Sequence, residues 1–213
     1  MPAPEGRNIL ITLMIITFVS GITGFGYDYA FLKVIYFIFG GLFIFCINFF
    51  RDPVRISPEG ENNLISPADG KVVLIKDVTD KDVGEGKQIS IFLNIFNVHS
   101  NKIPISGQVE KVDYESGDFK AAFDHNASDV NEQAIVVLSH GDKKIKIKQI
   151  AGLIARRIHC YAKVGKSYKA GDRFGFIMFG SRTDLIVPSG SNINVQVGDK
   201  VKGAMSIIGQ IAQ

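Results

Sequence analysis

The chain has 213 residues, of which 46% are hydrophobic and 21% charged, and a formal net charge of +3 at pH 7. That length holds one domain with an appendage, and so small a charge gives no argument for nucleic acid as a partner. The two cysteines, Cys46 and Cys160, make no disulfide framework; Cys46 sits in an apolar run, both read as small buried hydrophobes, and the usage fits a reducing compartment.

Apolar residues crowd the start of the chain. From Ile9 to Phe25 the polar side chains are Thr and Ser, and the run from Phe31 to Phe50 is interrupted by Lys33 and Asn48. Each approaches the ~20 residues that a bilayer-spanning helix needs. The link between them, Gly26 to Ala30, carries Tyr27 and Tyr29, a residue type favoured at membrane interfaces. Together they predict a helical hairpin. Arg7 before the first run, with Arg51 and Arg55 after the second, places both outer ends in the cytoplasm and the link outside. Lys33 lies near the link and runs against that bias, but a lysine there can snorkel to the interface. A signal peptide over Ile9–Gly24 is disfavoured by the second apolar run and by the lack of a small-residue cleavage site. A hairpin that dips into one leaflet stays open. Phe49-Phe50-Arg51-Asp52-Pro53 reads as the end of the membrane part, and Ser57 to Asn63 as a polar linker. The expected division is a membrane-associated hairpin over 1–56 and a β domain over 57–213.

Within the second part, Lys71–Lys76, Gln88–Leu93, Gln108–Tyr114, Ala134–Leu138 and Lys144–Lys148 are β-branched or alternating runs bounded by Gly, Asp and Asn, which predicts strands. Ser139-His-Gly-Asp142 between two of them predicts a hairpin. Helical spacing occurs only over Gly152–Ile158. One internal echo stands out: Val164-Gly-Lys-Ser-Tyr-Lys-Ala-Gly171 resembles Val197-Gly-Asp-Lys-Val-Lys-Gly203, and apolar strands are expected after each, at Arg173–Phe179 and Ala204–Ile208. Such paired units resemble the barrel-sandwich domains that carry biotin or lipoate. The resemblance implies a mainly β, carrier-like barrel-sandwich domain behind the helical hairpin. Carriers hold a modified lysine in a hairpin between the halves; the corresponding stretch here, Phe179–Pro188, offers Ser181 and no lysine.

Three short stretches carry candidate chemistry. In Phe179-Gly180-Ser181-Arg182, Gly180 permits a sharp bend and close approach at the peptide before a serine, although Gly-Ser is also an ordinary bulge or turn. In Ser66-Pro-Ala-Asp69-Gly70, the Asp-Gly pair reads first as a turn. In Asn97-Val-His99-Ser-Asn-Lys-Ile-Pro104, His99 stands at a strand end among polar residues. An aspartate that orients an imidazole, a histidine that takes a hydroxyl proton and a serine that attacks make a nucleophilic set, but spacing alone does not show that they meet. His140 and His159 read as structural or solvated. No Cys-x-x-Cys or His-Glu-x-x-His spacing is present, so no metal is expected.

Taken in order, the two apolar runs ending in Phe-Phe-Arg-Asp-Pro, then Ser-Pro-Ala-Asp69-Gly, Asn-Val-His99-Ser-Asn-Lys-Ile-Pro, Ala151-Gly-Leu-Ile-Ala-Arg-Arg-Ile158 and Phe-Gly-Ser181-Arg, are similar to the short bacterial and archaeal type of phosphatidylserine decarboxylase proenzyme over nearly the whole chain. The resemblance implies self-cleavage between Gly180 and Ser181 into a β chain (1–180) and an α chain (181–213) that stay associated. Ser181 would attack the Gly180 carbonyl with Asp69 and His99 as orienting group and general base, and would become a pyruvoyl group. That group would form a Schiff base with the substrate amine and do the work of pyridoxal phosphate without it. The resemblance further implies phosphatidylserine in the membrane as substrate, phosphatidylethanolamine as product, and a catalytic domain on the cytoplasmic face of the cell membrane. It leaves open whether copies associate into a homo-oligomer. Arg156, Arg157 and Arg182 are candidates for the lipid phosphate, with a solvated or membrane-facing basic patch as the alternative. His125 resembles a family segment near the substrate, and a polar loop explains it equally well. One departure is that longer members often carry a second histidine near the His99 position, where this chain has Phe96 and Asn97. Two other classes compete: a membrane-anchored Ser-His-Asp hydrolase, disfavoured by the lack of a Gly-x-Ser-x-Gly elbow, and a non-enzymatic barrel-sandwich adaptor.

Overall fold

A computed structural model describes residues 2–118, 130–152, 157–178 and 181–212. Gly180, Phe179, Arg156 and His125, all singled out above, lie outside the described residues, as does most of the helical spacing over Gly152–Ile158. The chain falls into two compact units, Met1–Val54 and Arg55–Gln213.

The first unit is a pair of packed helices, α1 (Arg7–Gly26) and α2 (Ala30–Phe49). Each is long and apolar enough to cross a membrane. Small residues let them approach: a Cβ added at Gly24 would stand 2.9 Å from the backbone nitrogen of Lys33. Two polar side chains of α1 bond to its own backbone, Ser20 Oγ donating to Ile16 O at 2.7 Å and Thr23 Oγ1 to Val19 O at 2.8 Å. Lys33 forms an ion pair with Asp28 in the link, which gives the one cation of the second run a local partner.

The second unit is built of strands: β1 (Asn63–Ile65), β2 (Gly70–Asp80), β3 (Gly84–Leu93), β4 (Ser100–Lys102), β5 (Gly107–Glu115), β6 (Gln133–His140), β7 (Lys143–Ile150), β8 (Ile158–Cys160), β9 (Ser167–Tyr168), β10 (Arg173–Ile177), β11 (Ser181–Pro188), β12 (Asn192–Ile193), β13 (Lys200–Val201) and β14 (Ile207–Gln210). A curled eight-stranded sheet runs in the order β13-β2-β3-β11-β7-β6-β5-β9, with three-stranded sheets β1-β14-β12 and β4-β10-β8 beside it. This is the mainly β, barrel-sandwich architecture with two apolar helices before it. Alternation along the strands decides what goes inside: Ile89, Ile91 and Leu93, Ile145 and Ile147, Val136 and Leu138, Leu185 and Val187 all enter one core.

Two expectations need correcting. Phe179–Pro188 is no hairpin between halves: from Ser181 on it is β11, paired to β3 on one side and β7 on the other, at the centre of the sheet. The strand expected at Ala204–Ile208 starts later, because the chain turns at Ala204 with φ at 62° and extends only over Ile207–Gln210.

The sequence echo marks a much larger repeat. Gly165 N donates to Val109 O at 2.7 Å and Gly198 N to Val72 O at 2.8 Å, so the two Val-Gly turns close on equivalent strands, β5 and β2. The equivalence continues strand by strand. β2 pairs with β3 as β5 pairs with β6, each pair bulged at the same point, between Val72 and Leu74 and between Val109 and Lys111. β3 pairs with β11 as β6 pairs with β7. The order β1-β14-β12 repeats as β4-β10-β8, with Leu64 opposite Gly209 where Asn101 is opposite Gly175. Leu185 pairs with Ile147 at the centre, where the two repeats meet. One repeat, β4 to β10, is continuous. The other, β1 to β3 with β11 to β14, is interrupted by it, and β11 begins at Ser181, immediately after the interruption ends.

Candidate active site

Ser181 opens β11 opposite Leu93, the last residue of β3. It shares a sheet face with Thr183 and Leu185, so its side chain goes inward, and the residue is fully buried. Its Oγ has no hydrogen-bond partner among the described residues. A hydroxyl buried without a bond is costly for folding alone, which makes a reactive role the natural explanation.

Two routes bring His99 to the same end of the sheet. After Leu93 the chain turns through Asn94–Asn97, closed by Asn97 N to Asn94 O at 3.0 Å and by Asn97 Oδ1 accepting from Asn94 N at 2.9 Å, and His99 follows. From the other side, Ile177 N donates to His99 O at 3.2 Å at the end of β10, the strand that leads toward Ser181. His99 is fully buried, and its ring lies 6.3 Å from that of Phe176. Its Nδ1 is 3.0 Å from Asn97 O. A carbonyl can only accept, so Nδ1 carries the hydrogen and Nε2 carries the lone pair of the neutral ring.

Asp69 lies in the turn before β2. Its carboxylate is gripped by both terminal nitrogens of Arg55, Nη1 on Oδ1 and Nη2 on Oδ2 at 2.9 Å, and Oδ1 also accepts from Gly203 N at 2.8 Å. Arg55 Nη1 donates to Gly203 O at 2.7 Å as well. A planar fork on a carboxylate fixes orientation as well as charge. The imidazole of His99 is thus oriented by the Asn97 carbonyl, while Asp69 gives its oxygens to Arg55 and Gly203. The turn that holds Asp69 touches the strand after His99, with Lys102 N donating to Pro67 O at 2.9 Å.

The arginines separate. Arg182 points to the opposite face from Ser181 and is fully buried, with Nε on Asp184 Oδ1 at 2.6 Å and Nη2 on Ser90 Oγ at 2.6 Å. Gln88 Nε2 completes the cluster on Asp184 Oδ2 at 2.8 Å. This corrects the reading of Arg182 as a phosphate ligand: a guanidinium sealed inside the sheet and neutralised by its neighbour anchors β11 and is out of reach of a lipid headgroup. Arg157 is exposed, and its carbonyl accepts from Met178 N at 3.1 Å, beside the stretch that leads to Ser181. No cluster of His, Cys, Asp and Glu among the described residues is arranged to hold a metal ion.

Comparison with known proteins assigns the chain to a family. The family model for phosphatidylserine decarboxylase matches residues 42–209. The chain belongs to the phosphatidylserine decarboxylase family. The match runs from the second apolar helix to β14 and includes Asp69, His99 and Ser181. Among similar proteins, the phosphatidylserine decarboxylase proenzyme of Desulfotalea psychrophila is 44% identical over 182 residues, 84% of this chain and 85% of that protein. The proenzymes of that name from Aromatoleum aromaticum and Burkholderia cenocepacia are 40% and 38% identical over 205 and 207 residues, 95% and 96% of this chain and 92% and 93% of theirs.

Sequence reasoning missed Arg55, which it assigned to the membrane border because an arginine after an apolar run carries that signal. It also passed over Asn101, Gln149 and Thr183, polar residues inside otherwise strand-like runs.

Proposed function

We propose that this phosphatidylserine decarboxylase matures by cutting its own chain between Gly180 and Ser181 and acts through the pyruvoyl group left at position 181. The observation that carries the reading is the buried Ser181 hydroxyl, which opens β11 and has no hydrogen-bond partner among the described residues. His99 Nε2 takes the hydroxyl proton, Ser181 Oγ attacks the Gly180 carbonyl, and the carbon–nitrogen bond breaks to leave an ester and a free amine on Ser181. Loss of the 181 α-proton then expels the Gly180 carboxylate from Cβ, and the resulting enamine tautomerises, adds water and releases ammonia. The burial of Ser181 and His99 suits the reaction, and Arg182 fixes the strand from its other face. A pyruvoyl carbonyl supplies the electron sink that loss of carbon dioxide from an amino acid requires.

Asp69, held by Arg55 and Gly203, supports this end of the sheet from the turn bonded to β4. Arg157, exposed beside Met178, is the arginine suited to the phosphate of phosphatidylserine. The two apolar helices hold the β domain at the membrane where that lipid lies, and Arg7 and Arg51 set their outer ends on the cytoplasmic side.

Intact-mass measurement of the purified protein beside Ser181→Ala tests the cleavage. The wild type is expected as two species, the smaller beginning at position 181 with a pyruvoyl in place of serine, and Ser181→Ala as one. A folded wild type that stays one chain overturns the reading.

A further inference from the structure

The internal repeat supplies a comparison within the molecule. Behind Ser181, on the same sheet face, three fully buried polar side chains are bonded together: Asn101 Nδ2 donates to Thr183 Oγ1 at 3.0 Å, and Gln149 Nε2 donates to Asn101 Oδ1 at 2.9 Å. The strand pairings identify what occupies the equivalent places in the other repeat. Asn101, opposite Gly175, corresponds to Leu64, opposite Gly209. Thr183, opposite Ile91, corresponds to Ile145, opposite Leu138. Gln149 pairs with Thr183, which makes Val187 its counterpart beside Ile145. Leu64, Ile145 and Val187 are all in the hydrophobic core. Even the neighbouring glycines match: a Cβ at Gly175 would stand 2.5 Å from His159 O, and one at Gly209 2.5 Å from Asn192 O.

The same backbone therefore packs with three aliphatic residues in one repeat and with an amide, an amide and a hydroxyl in the other. Folding does not ask for polarity there. It is even imperfectly satisfied, since Gln149 Oε1 is buried with no hydrogen-bond partner among the described residues. What distinguishes the polar copy is its place. Asn101 is two residues after His99, and Thr183 is two residues after Ser181, so the Asn101–Thr183 bond ties the strand of the histidine to the strand of the serine.

We infer that Asn101, Gln149 and Thr183 are positioning residues that lock β4 and β11 together and so hold His99 and Ser181 in register for cleavage at Ser181. The inference rests on the self-cleavage reading above. A hydrogen bond fixes one relative register of two strands, whereas aliphatic packing tolerates small slides, and a displacement of about 1 Å at a reacting pair costs on the order of a hundredfold in rate.

The test borrows the apolar copy. The full chain with Asn101→Leu, Gln149→Val and Thr183→Ile is made in a cell-free system beside the wild type, and cleavage is followed by mass over time together with thermal unfolding. The triple variant is expected to keep or raise the wild-type melting temperature and to cleave at least about tenfold more slowly. A folded triple variant that cleaves at the wild-type rate overturns the inference. Should the triple variant fail to fold, the single pair Thr183→Val and Thr183→Ser decides: Val, which keeps the shape and removes the hydroxyl, should slow cleavage about tenfold, and Ser should regain most of the rate. Equal rates for the two overturn it. A wild type that never splits removes the self-cleavage reading and this inference with it, whereas variants that keep pace with a splitting wild type remove this inference alone.

Discussion

The two repeats of the β domain share a backbone plan and differ in how a single hairpin is closed. In the continuous repeat, β6 and β7 join directly through Gly141 and Asp142, with His140 opposite Lys143. In the interrupted repeat the same hairpin, β3 and β11, is opened between Leu93 and Ser181, and the whole continuous repeat is threaded through the gap. Ser181 therefore stands where Lys143 stands in the closed hairpin. A closed turn is a solvated surface feature; an opened one has strand ends that continue in different directions, and the turn that leads to His99 starts from one of them. The difference places Ser181 at the topological seam of the domain. A cut at Gly180–Ser181 breaks a connection between repeats and leaves every strand within each repeat intact.

The turn of Asp69 shows the same contrast in one residue. Its counterpart is Ser106, whose Oγ accepts from Ala170 N at 3.0 Å as Asp69 Oδ1 accepts from Gly203 N at 2.8 Å. A serine thus performs the backbone task, and the carboxylate and its partner Arg55 are surplus to the fold. Replacing both, Asp69→Ser with Arg55→Met, should leave the melting temperature within a few degrees and cut the rate of cleavage by about a hundredfold, read by mass over time. Asp69→Ser alone leaves the Arg55 cation half-buried without its carboxylate and should cost about 1–3 kcal/mol in chemical denaturation besides. A double variant that cleaves normally would reduce Asp69 to the structural role of Ser106.

The seam also predicts how the pieces behave. After a cut, residues from Ser181 onward would still place β11 between β3 and β7, with Leu185, Val187, Val201, Ile208 and Ile211 in the common core. Each fully buried aliphatic side chain of this size is worth about 1.5–3 kcal/mol. The two pieces should therefore co-elute in size-exclusion chromatography and part only in denaturant. Separation under native conditions would mean that the core does not hold the interrupted repeat together.

Much of this architecture was legible beforehand, for identifiable reasons. The long strands β2, β3, β5, β6 and β7 contain the alternating runs, because a half-buried strand needs alternation over several residues. β1, β4, β9, β12 and β13 have two or three residues each, too few for any period to register. The repeat surfaced only at its Val-Gly turns, since Ser66-Pro-Ala-Asp-Gly70 and Ile103-Pro-Ile-Ser-Gly107 share just the proline and the glycine that shape the backbone. In the site, Ser181, His99 and Asp69 were singled out by the motifs around them. Arg182 was misassigned because its neighbours in sequence do not reveal which face of a strand is sealed, and Arg55 because its partner lies in a different segment.

The smallest expected effect tests whether the outer face of the central strands is likewise a matched pair. Asp184, on β11, is neutralised by Arg182; its counterpart on β7 is Lys146, nearly fully buried, which donates to Asp80 Oδ2 at 2.6 Å and pairs with Asp82. Opposite charges at equivalent positions, each with its own counter-ion, mean that the fold requires neutrality there and accepts either sign. The Asp80 carboxyl lies below the ordinary aspartate range: burial pushes it up, but the Lys146 hydrogen bond and the N–H groups of Asp82 and Val83 more than reverse that. A group depressed in the folded state stabilises above its unfolded pKa, near about 3.9 for aspartate, and loses that stabilisation as pH falls through the folded value. The wild type should therefore lose more stability than Asp80→Asn as pH falls below the ordinary aspartate range in urea denaturation, since the amide has no proton to gain. Parallel losses in the two proteins would show that Lys146 draws its neutrality from Asp82, and the pairing of Lys146 with Asp80 would then be secondary to the balance of this face.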